Sequence, residues 1–495
     1  MRAAHAAEMS AAGILAALQL LVQLAATAKL VCYFSNMSCY RTGVGRYLPE
    51  NIDPLLCTHL IYSFAIINHD SELEKSEWNE GSVYRSFTSL KRRNHRLKTL
   101  LSLRTDRDRA QFSAMMSSPA LRQTFIQSSI KLLRTHGFDG LDLDLADPGS
   151  EEGSPEDTQR FRMLCQELSE DFKADSEGHT RLILSAAITA HTHLSDTGND
   201  LSDLSKYLDF LSVRTFDLTE DGVTAHHSPL YSHTNSSVDG VVTAWIQRGV
   251  PAEKLLLGFP THARSFSLSG PAAGIGAPVS GPASPGPYTQ QSGVWSHYET
   301  CSFLRGSWTQ WVQAQKVPFA VKGSEWVGFD NQRSYSAKVD YLRSRGLGGA
   351  AVWTLDMDDF SGQFCDQGEY PLISHLRHRL RTDWTTEPTP PTAPPSSSSS
   401  SPSTQEPLTS SSSCSLNITV LFPDSRFCSH RADGLYLRSG RPHFAYRCVH
   451  RRTYVTKCHS PETQSSSSSS SWTSTASLSL VSSSLLSVFR LWSVS

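Results

Sequence analysis

Between Leu30 and about Arg381, short runs of apolar residues alternate with longer segments that carry a single apolar stripe. Short continuous runs are typical of strands buried on both faces, and a stripe repeating every three to four residues is typical of an amphipathic helix. The runs with strand character are Leu30–Phe34, His59–Ile66, Lys98–Leu103, Phe138–Leu145, Arg181–Ala187, Phe210–Thr215, Lys254–Phe259 and Gly349–Leu355. Eight such runs, each followed by a connecting segment, predict a parallel (β/α)8 barrel of the TIM type, with functional residues at the carboxyl ends of its strands.

One helix is especially clear in this region. The segment Pro119–Thr135 has a stripe made of Leu121, Phe125, Ile126, Ile130 and Leu133. Gly137 follows at the position where a glycine commonly ends a helix. By contrast, the stretch from about His262 to Gly323 is too long and too rich in turns and aromatics for a simple loop, and it predicts a small inserted α+β subdomain.

The two ends of the chain differ from this region in composition. An apolar run from about Ala11 to Ala26, preceded by Arg2 and ending in Ala26-Thr27-Ala28, predicts a secretory signal peptide and hence an extracellular protein. The run is too short for a membrane span. The remaining divisions follow from Ser/Thr/Pro-rich tracts and crowded cysteines. The predicted organisation is signal peptide 1–28, barrel 29–383 with its insertion at about 262–323, linker 384–413, disulfide-rich module 414–459 and Ser-rich tail 460–495.

The charge of the chain is nearly balanced. It has 45 Lys and Arg against 47 Asp and Glu, a formal net charge of −2, which gives no support for a nucleic-acid partner. Asn36, Asn235 and Asn417 each begin an Asn-x-Ser/Thr sequon, which permits glycosylation in a secreted protein.

The most informative motif is Asp139-Gly-Leu-Asp142-Leu-Asp144-Leu-Ala146. Residues two apart in a strand share a face, so Asp142, Asp144 and Ala146 are predicted to point the same way. Two acids stacked beneath a third position form a proton relay, and Ala146 stands where a catalytic acid would be. Because buried carboxylates need partners, we interpret Asp142 and Asp144 as a pair sharing a proton.

Several segments resemble the vertebrate chitinases of glycoside hydrolase family 18. In the barrel region they are Cys32-Tyr-Phe-Ser-Asn, Cys57-Thr-His-Leu-Ile-Tyr-Ser-Phe, Phe138-Asp-Gly-Leu-Asp-Leu-Asp, Pro251-Ala-Glu-Lys-Leu-Leu-Leu-Gly-Phe-Pro and Ala351-Val-Trp-Thr-Leu-Asp. Near the C-terminus, Cys428-Ser-His-Arg-Ala-Asp-Gly-Leu-Tyr is similar to the start of that group's peritrophin-type chitin-binding module, here truncated. The resemblance implies chitin or N-acetylglucosamine oligosaccharides as partners, and no segment indicates a cofactor.

The family pattern is Asp-x-x-Asp-x-Asp-x-Glu. Its Glu protonates the glycosidic oxygen, while the substrate's own N-acetyl group replaces a carboxylate nucleophile. The resemblance implies that Asp144 holds the N-acetyl group and that Asp142 tunes Asp144. Ala146 replaces the Glu, and a positioned acid contributes about 10²- to 10⁴-fold in rate. Asp147 faces the opposite way in a regular strand, so only a bulge could make it a substitute.

The predicted cleft departs from the family at further positions. Met37 replaces a Trp, and Leu103-Arg-Thr-Asp-Arg-Asp-Arg replaces a Gly-Gly-Trp loop. Arg214-Thr-Phe216-Asp217 replaces Met-Thr-Tyr-Asp, and Pro260-Thr-His262-Ala replaces Pro-Thr-Tyr-Gly. The retained binding positions are Tyr33, Phe64, Asp217, Arg264 and Trp353, of which the last is the family's floor for the central sugar. Tyr33 and Phe64 would equally suit an ordinary barrel core, and Trp353 could merely plug the barrel.

The resemblance also implies the disulfides Cys32–Cys57, Cys301–Cys365 and Cys428–Cys458, with Cys39 and Cys165 free. His226 and His227 lie beside Glu220 and Asp221, but this spacing matches no metal-ligand pattern. We interpret the two histidines as part of a solvated loop and predict no metal site.

Three hypotheses remain open. The first is a secreted chitinase-like protein that binds chitin-type oligosaccharides as a lectin and has lost hydrolysis. The second is a chitinase that cleaves β-1,4-linked N-acetylglucosamine with a displaced acid such as Asp147. The third is a paralogue that keeps the fold without glycan affinity, which Met37, Arg214 and His262 support. Whether the chain is an enzyme, and its oligomeric state, are not determined by these patterns.

Overall fold

The computed structural model describes most of the barrel region and four strands near the C-terminus. The described residues are 28–77, 80–105, 109–145, 155–189, 200–219, 221–234, 236–382, 419–422, 434–437, 444–449 and 452–457. The predicted signal peptide, linker and tail lie outside them, as do Ala146 and Asp147. The chain divides into two compact units, Met1–Pro390 and Pro391–Ser495.

The first unit contains fifteen described strands. In chain order they are β1 Lys29–Ser35, β2 His59–Ile67, β3 Leu73–Lys75, β4 Lys98–Arg104, β5 Gly140–Leu145, β6 Ile183–Thr189, β7 Phe210–Arg214, β8 Leu255–Pro260, β9 His262–Leu268, β10 Val279–Pro282, β11 Val294–Ser296, β12 Trp308–Val312, β13 Val317–Lys322, β14 Glu325–Gly328 and β15 Gly349–Trp353. Each of the eight predicted strands coincides with one of these, with ends that differ by a few residues.

Eight of these strands form a closed parallel barrel. The order around the barrel is β1, β15, β8, β7, β6, β5, β4 and β2, and β2 pairs back onto β1. Short β3 is antiparallel to β2. The predicted (β/α)8 fold is therefore confirmed.

The described helices of this unit are α1 Glu80–Ser89, α2 Arg109–Ser117, α3 Pro119–His136, α4 Pro155–Ala174, α5 Asp200–Tyr207, α6 Val238–Gln247, α7 His297–Leu304, α8 Gln332–Ser344 and α9 Pro371–Thr382. They cover the outside of the barrel, except α7, which belongs to the inserted subdomain. In α3, Phe125, Ile126 and Leu133 are fully buried. Gly137 ends this helix with a φ of 72°, as the sequence predicts.

The alternation along β5 places apolar and acidic side chains on opposite faces. Leu141, Leu143 and Leu145 belong to the large apolar layer between strands and helices. Asp142 and Asp144 lie on the other face, inside the barrel, and both are buried. Since the interior is closed by eight strands, each acid must find its partners among the side chains of other barrel strands.

The inserted subdomain lies between β8 and α8. Strands β10, β9, β14, β13 and β12 form an antiparallel sheet in that order, β11 pairs with β9, and α7 follows β11. The predicted insertion ends near Gly323, whereas the sheet continues through β14 to Gly328. The inserted sheet-and-helix subdomain is confirmed.

Two disulfides occur in this unit. Cys32 on β1 is bonded to Cys57, and Cys301 on α7 is bonded to Cys365. These are the pairings that the family resemblance implies. Cys39 and Cys165 are free thiols.

The second unit has a small antiparallel sheet. Its strands are β16 Thr419–Phe422, β17 Gly434–Leu437, β18 Phe444–Val449 and β19 Arg452–Lys457, in the order β16, β19, β18, β17. Cys428 and Cys458, a predicted disulfide, lie outside the described residues. Across the described part of the chain, no helix combines the length and the apolar character needed to cross a membrane.

A fully buried ion pair anchors the loop after β7. Lys338 Nζ on α8 donates to Asp330 Oδ2 at 2.7 Å, and neither side chain is exposed. Lys338 Nζ also donates to Ser228 Oγ at 2.8 Å, and Ser228 Oγ donates to the Thr215 carbonyl at 2.7 Å. The loop between Thr215 and Ser228 is thereby tied to α8.

Replacing Lys338 by Met should lower the free energy of unfolding by about 3–5 kcal/mol, because it leaves the Asp330 carboxylate buried and unpaired. Urea unfolding followed by circular dichroism measures this change. The double variant Lys338→Met/Asp330→Asn should recover much of the loss, since no buried charge remains. Lys206→Met, which removes an exposed ion pair with Asp203, is the matched control and should leave stability nearly unchanged. A loss below about 1 kcal/mol for Lys338→Met would contradict the buried pair.

Candidate functional site

Asp142 lies at the centre of a layer of hydroxyl groups inside the barrel. Ser102 on β4 and Ser185 on β6 are its direct neighbours in the strand register. Ser102 Oγ donates to Asp142 Oδ2 at 2.8 Å, and Ser185 Oγ donates to Oδ1 at 2.6 Å. Tyr33 Oη also donates to Oδ2, at 3.3 Å. Both carboxylate oxygens are therefore satisfied by uncharged donors.

Burial raises the pKa of Asp142 to about 6, and the nearby Asp144 charge acts in the same direction. The hydrogen bonds from Ser185, Ser102 and Tyr33 act against this shift. Burial is the largest cause, because a carboxylate enclosed in the barrel loses its hydration. Proton sharing between Asp142 and Asp144 stays a prediction.

Asp144 has a charged partner. Arg214 Nη2, at the end of β7, donates to Asp144 Oδ2 at 2.5 Å. Burial alone would lower the pKa of the Arg214 guanidinium, but the Asp144 carboxylate outweighs it and holds that pKa above its usual value. The sequence marks Arg214 only as the loss of a family Met; its ion pair with Asp144 becomes visible in the structure.

Arg214 also covers the predicted sugar floor. Its guanidinium carbon lies 4.4 Å from the centre of the Trp353 ring, a cation–π geometry. One group therefore contacts both the predicted platform and the predicted N-acetyl partner, Asp144. A cavity in the barrel interior lined by Tyr33, Arg214 and Trp353 measures about 10 Å³, room for one water molecule at most. Arg214 thus lies against both Trp353 and Asp144 in this structure.

The other predicted aromatic residues surround Trp353. The ring centres of Tyr33 and Phe64 lie 5.0 Å and 6.1 Å from that of Trp353. Tyr33 is buried among interior barrel residues, whereas Phe64 and Trp353 are half-buried. Arg104, at the end of β4, lies over Phe64 with its guanidinium carbon 5.4 Å from the ring centre. Two arginines thus stack on the aromatic residues at this end of the barrel.

A second polar group forms around Asp217, just after β7. Asp217 Oδ1 accepts from Arg264 Nε at 2.7 Å and lies 3.2 Å from His262 Nε2 and 3.4 Å from His227 Nδ1. Burial would raise the pKa of Asp217, but the two histidines and Arg264 hold it well below its usual range. Asp217 also has a left-handed φ of 62°, which is uncommon for a residue with a side chain.

The interpretation of His226 and His227 as a solvated loop is wrong. The exposed fractions of their side chains are close to zero, because the loop after β7 folds inward. His226 Nε2 donates to the Phe329 carbonyl at 2.9 Å, and the Leu218 amide donates to the His227 carbonyl at 2.9 Å. Burial lowers the pKa of His226 to about 3 and that of His227 to about 4.

The structure thus places the predicted site residues in two groups at the carboxyl ends of the strands. Asp142, Asp144, Tyr33, Phe64 and Trp353 form the first, and Asp217 with Arg264 forms the second. Sequence reasoning did not identify Ser102, Ser185 or His227 as members. A single serine on a predicted strand does not indicate a functional site. Only the strand register shows that Ser102 and Ser185 lie opposite Asp142.

Residues 29–358 match the family described as Glycosyl hydrolases family 18. Chitotriosidase-1 of Mus musculus is 40% identical over 453 residues, which cover 89% of this chain and 94% of that protein. Chitinase-3-like protein 2 of Homo sapiens is 40% identical over 375 residues, which cover 73% of this chain and 95% of that protein.

Solved structures agree with these matches. The structure of human YKL-39, a pseudo-chitinase with retained chitooligosaccharide binding properties, superposes with a TM-score of 0.67 at 40% identity, covering 71% of this chain and 99% of that one. An immunomodulatory active chitinase from Trichuris suis superposes with a TM-score of 0.68 at 33% identity, covering 71% of this chain and 100% of that one.

Replacing Asp142 by Asn should flatten the pH dependence of stability between about pH 4 and pH 6. The native pKa of about 6 lies above the ordinary 3.8, so the folded state binds this proton more tightly and loses stability as the pH rises through that window. Urea unfolding across this range should show the wild-type protein losing up to about 3 kcal/mol relative to the variant. Burial also raises the pKa of Asp358, to about 7, but that group titrates in both proteins and cancels in the difference. A difference that stays constant with pH would contradict the elevated pKa.

Proposed function

The chain belongs to family 18 of the glycosyl hydrolases, and from that premise we propose that it is a secreted chitinase-like protein that binds chito-oligosaccharides without hydrolysing them. The observation that carries the loss of hydrolysis is the ion pair between Arg214 and Asp144. It occupies the carboxylate that would hold the substrate's N-acetyl group. The proposed leader at residues 1–28 and the two disulfides suit an extracellular protein.

Two changes act together against catalysis. Ala146 has no proton to give to the leaving oxygen. Asp144, which would polarise the N-acetyl group for attack on the sugar, is neutralised by Arg214 at 2.5 Å. Restoring either group alone therefore leaves the substrate-assisted route incomplete.

Glycan binding is supported by the aromatic residues that remain. Trp353 and Phe64 are half-buried at the carboxyl end of the barrel, where a sugar could stack on them in place of the arginines that now lie over their rings. A relative that shares 40% of its residues with this chain is a pseudo-chitinase with retained chitooligosaccharide binding. A sugar at the central position would have to move Arg214 away from Trp353, so we expect weak binding.

The second candidate is a protein that keeps the fold without glycan affinity. The stacking of Arg214 on Trp353 favours it, because a desolvated guanidinium on an aromatic face is worth about 2 kcal/mol and competes directly with a sugar ring.

Wild-type protein should give no turnover of a fluorogenic chitobioside. Ala146→Glu alone should gain little, whereas Ala146→Glu/Arg214→Met should gain clearly more, because the second change frees Asp144. Ala146→Gln/Arg214→Met is the matched control, equal in size but without an acid. Clear turnover by the wild-type protein would overturn the non-hydrolytic proposal.

Calorimetry with a chito-oligosaccharide tests binding separately. Arg214→Met should bind about 5- to 30-fold more tightly than wild type, since displacing the stacked guanidinium costs about 1–2 kcal/mol. Trp353→Ala should bind more weakly than wild type, and thermal unfolding checks that both variants fold. If neither wild type nor Arg214→Met binds, the second candidate is correct.

A further inference from the structure

We propose that Asp217, His227 and His262 form a binding site for one divalent cation of the zinc class. Two imidazole nitrogens and one carboxylate oxygen are a common ligand set for such ions, with water completing the coordination. The three ligand atoms are Asp217 Oδ1, His227 Nδ1 and His262 Nε2, and all lie within 4.8 Å of one another.

The distances from Asp217 Oδ1 to the two histidine nitrogens fit a tetrahedral ion. With metal–ligand bonds of about 2.0–2.1 Å, neighbouring ligands in a tetrahedron lie about 3.3 Å apart. Asp217 Oδ1 lies 3.2 Å from His262 Nε2 and 3.4 Å from His227 Nδ1. The two histidine nitrogens lie within 4.8 Å of each other, so binding an ion would bring them together around it.

The ligands sit on well-anchored backbone. His262 begins β9 and pairs in register with Ser296. His227 is held by the Leu218 amide and is followed by Ser228, which receives a hydrogen bond from buried Lys338. The side chains of both histidines are at most 5% exposed, whereas that of Asp217 is 38% exposed, so an ion can approach from the Asp217 side.

Arg264 is the nearest competing cation, since its Nε donates to the same Asp217 oxygen at 2.7 Å. A carboxylate offers about four lone-pair positions, so Asp217 can accept this hydrogen bond and still ligate an ion. Outer hydrogen bonds of this kind orient metal-bound carboxylates. The positive charge of Arg264 lowers the affinity, which places the expected binding in the micromolar range or weaker.

The family pattern lacks one of the three proposed ligands. His262 stands where that pattern has Tyr, and tyrosine is not among the usual zinc ligands. His262→Tyr is therefore a matched variant that removes one ligand while restoring an aromatic residue compatible with the fold.

The test uses untagged full-length protein, stripped with EDTA and titrated with Co²⁺, whose visible absorption reports tetrahedral nitrogen and oxygen ligands. Wild type should bind one equivalent, Zn²⁺ should displace the signal, and Zn²⁺ should raise the melting temperature. His262→Tyr should weaken Co²⁺ binding by at least 10-fold, because even loss of an outer contact costs about that much. His227→Asn should behave in the same way.

His69→Ala removes an exposed histidine and is the control, which should bind Co²⁺ as the wild type does. The short distances from Asp217 Oδ1 to Arg264 Nε, His262 Nε2 and His227 Nδ1 also fit hydrogen bonds without an ion. The experiment separates hydrogen bonding alone from metal binding. The proposal is overturned if wild type binds no Co²⁺ below millimolar concentration, or if His262→Tyr and His227→Asn, shown by circular dichroism to be folded, bind as tightly as wild type. Glycan binding is measured separately, so neither result depends on the proposed function.

Discussion

A carboxylate enclosed by eight strands cannot be satisfied by water, and this constraint governs the site. The interior face of β5 carries two such groups, and they are satisfied in different ways. Asp142 accepts from three hydroxyl groups, two on neighbouring strands and one on β1, and has a raised pKa. Asp144 is paired with Arg214, whose charge stabilises it as a carboxylate. The same barrel therefore holds one acid with a raised pKa among uncharged donors and one acid in an ion pair.

Arg214 contacts two residues that the proposed function places in the glycan cleft. Its guanidinium forms an ion pair with the Asp144 carboxylate and lies over the Trp353 ring. A neutral side chain at this position would do neither. In the proposed function, the lack of a carboxylic acid at residue 146 is thus accompanied by a second, independent obstacle to hydrolysis, which lies on β7.

The periodic parts of the sequence predicted their secondary structure correctly. The eight strands and helix α3 were predictable because burial on both faces, or on one stripe, leaves a periodic trace in the sequence. The loop that holds His226 and His227 has no such trace, and the interpretation of its histidines as solvated rests on a spacing that matches no metal-ligand pattern. Their burial depends on Lys338 and Asp330, about a hundred residues later in the chain.

By itself, the sequence determined the barrel, its inserted subdomain and the absence of a carboxylic acid at residue 146, because these depend on local periodicity and residue identity. It also indicated that Arg214 and His262 depart from the family pattern. Only the tertiary structure decided what those two residues do. Arg214 meets Asp144, which lies 70 residues away in the chain, and His262 meets Asp217 and His227. Such contacts depend on strand register and loop path, which bring distant residues within hydrogen-bonding distance.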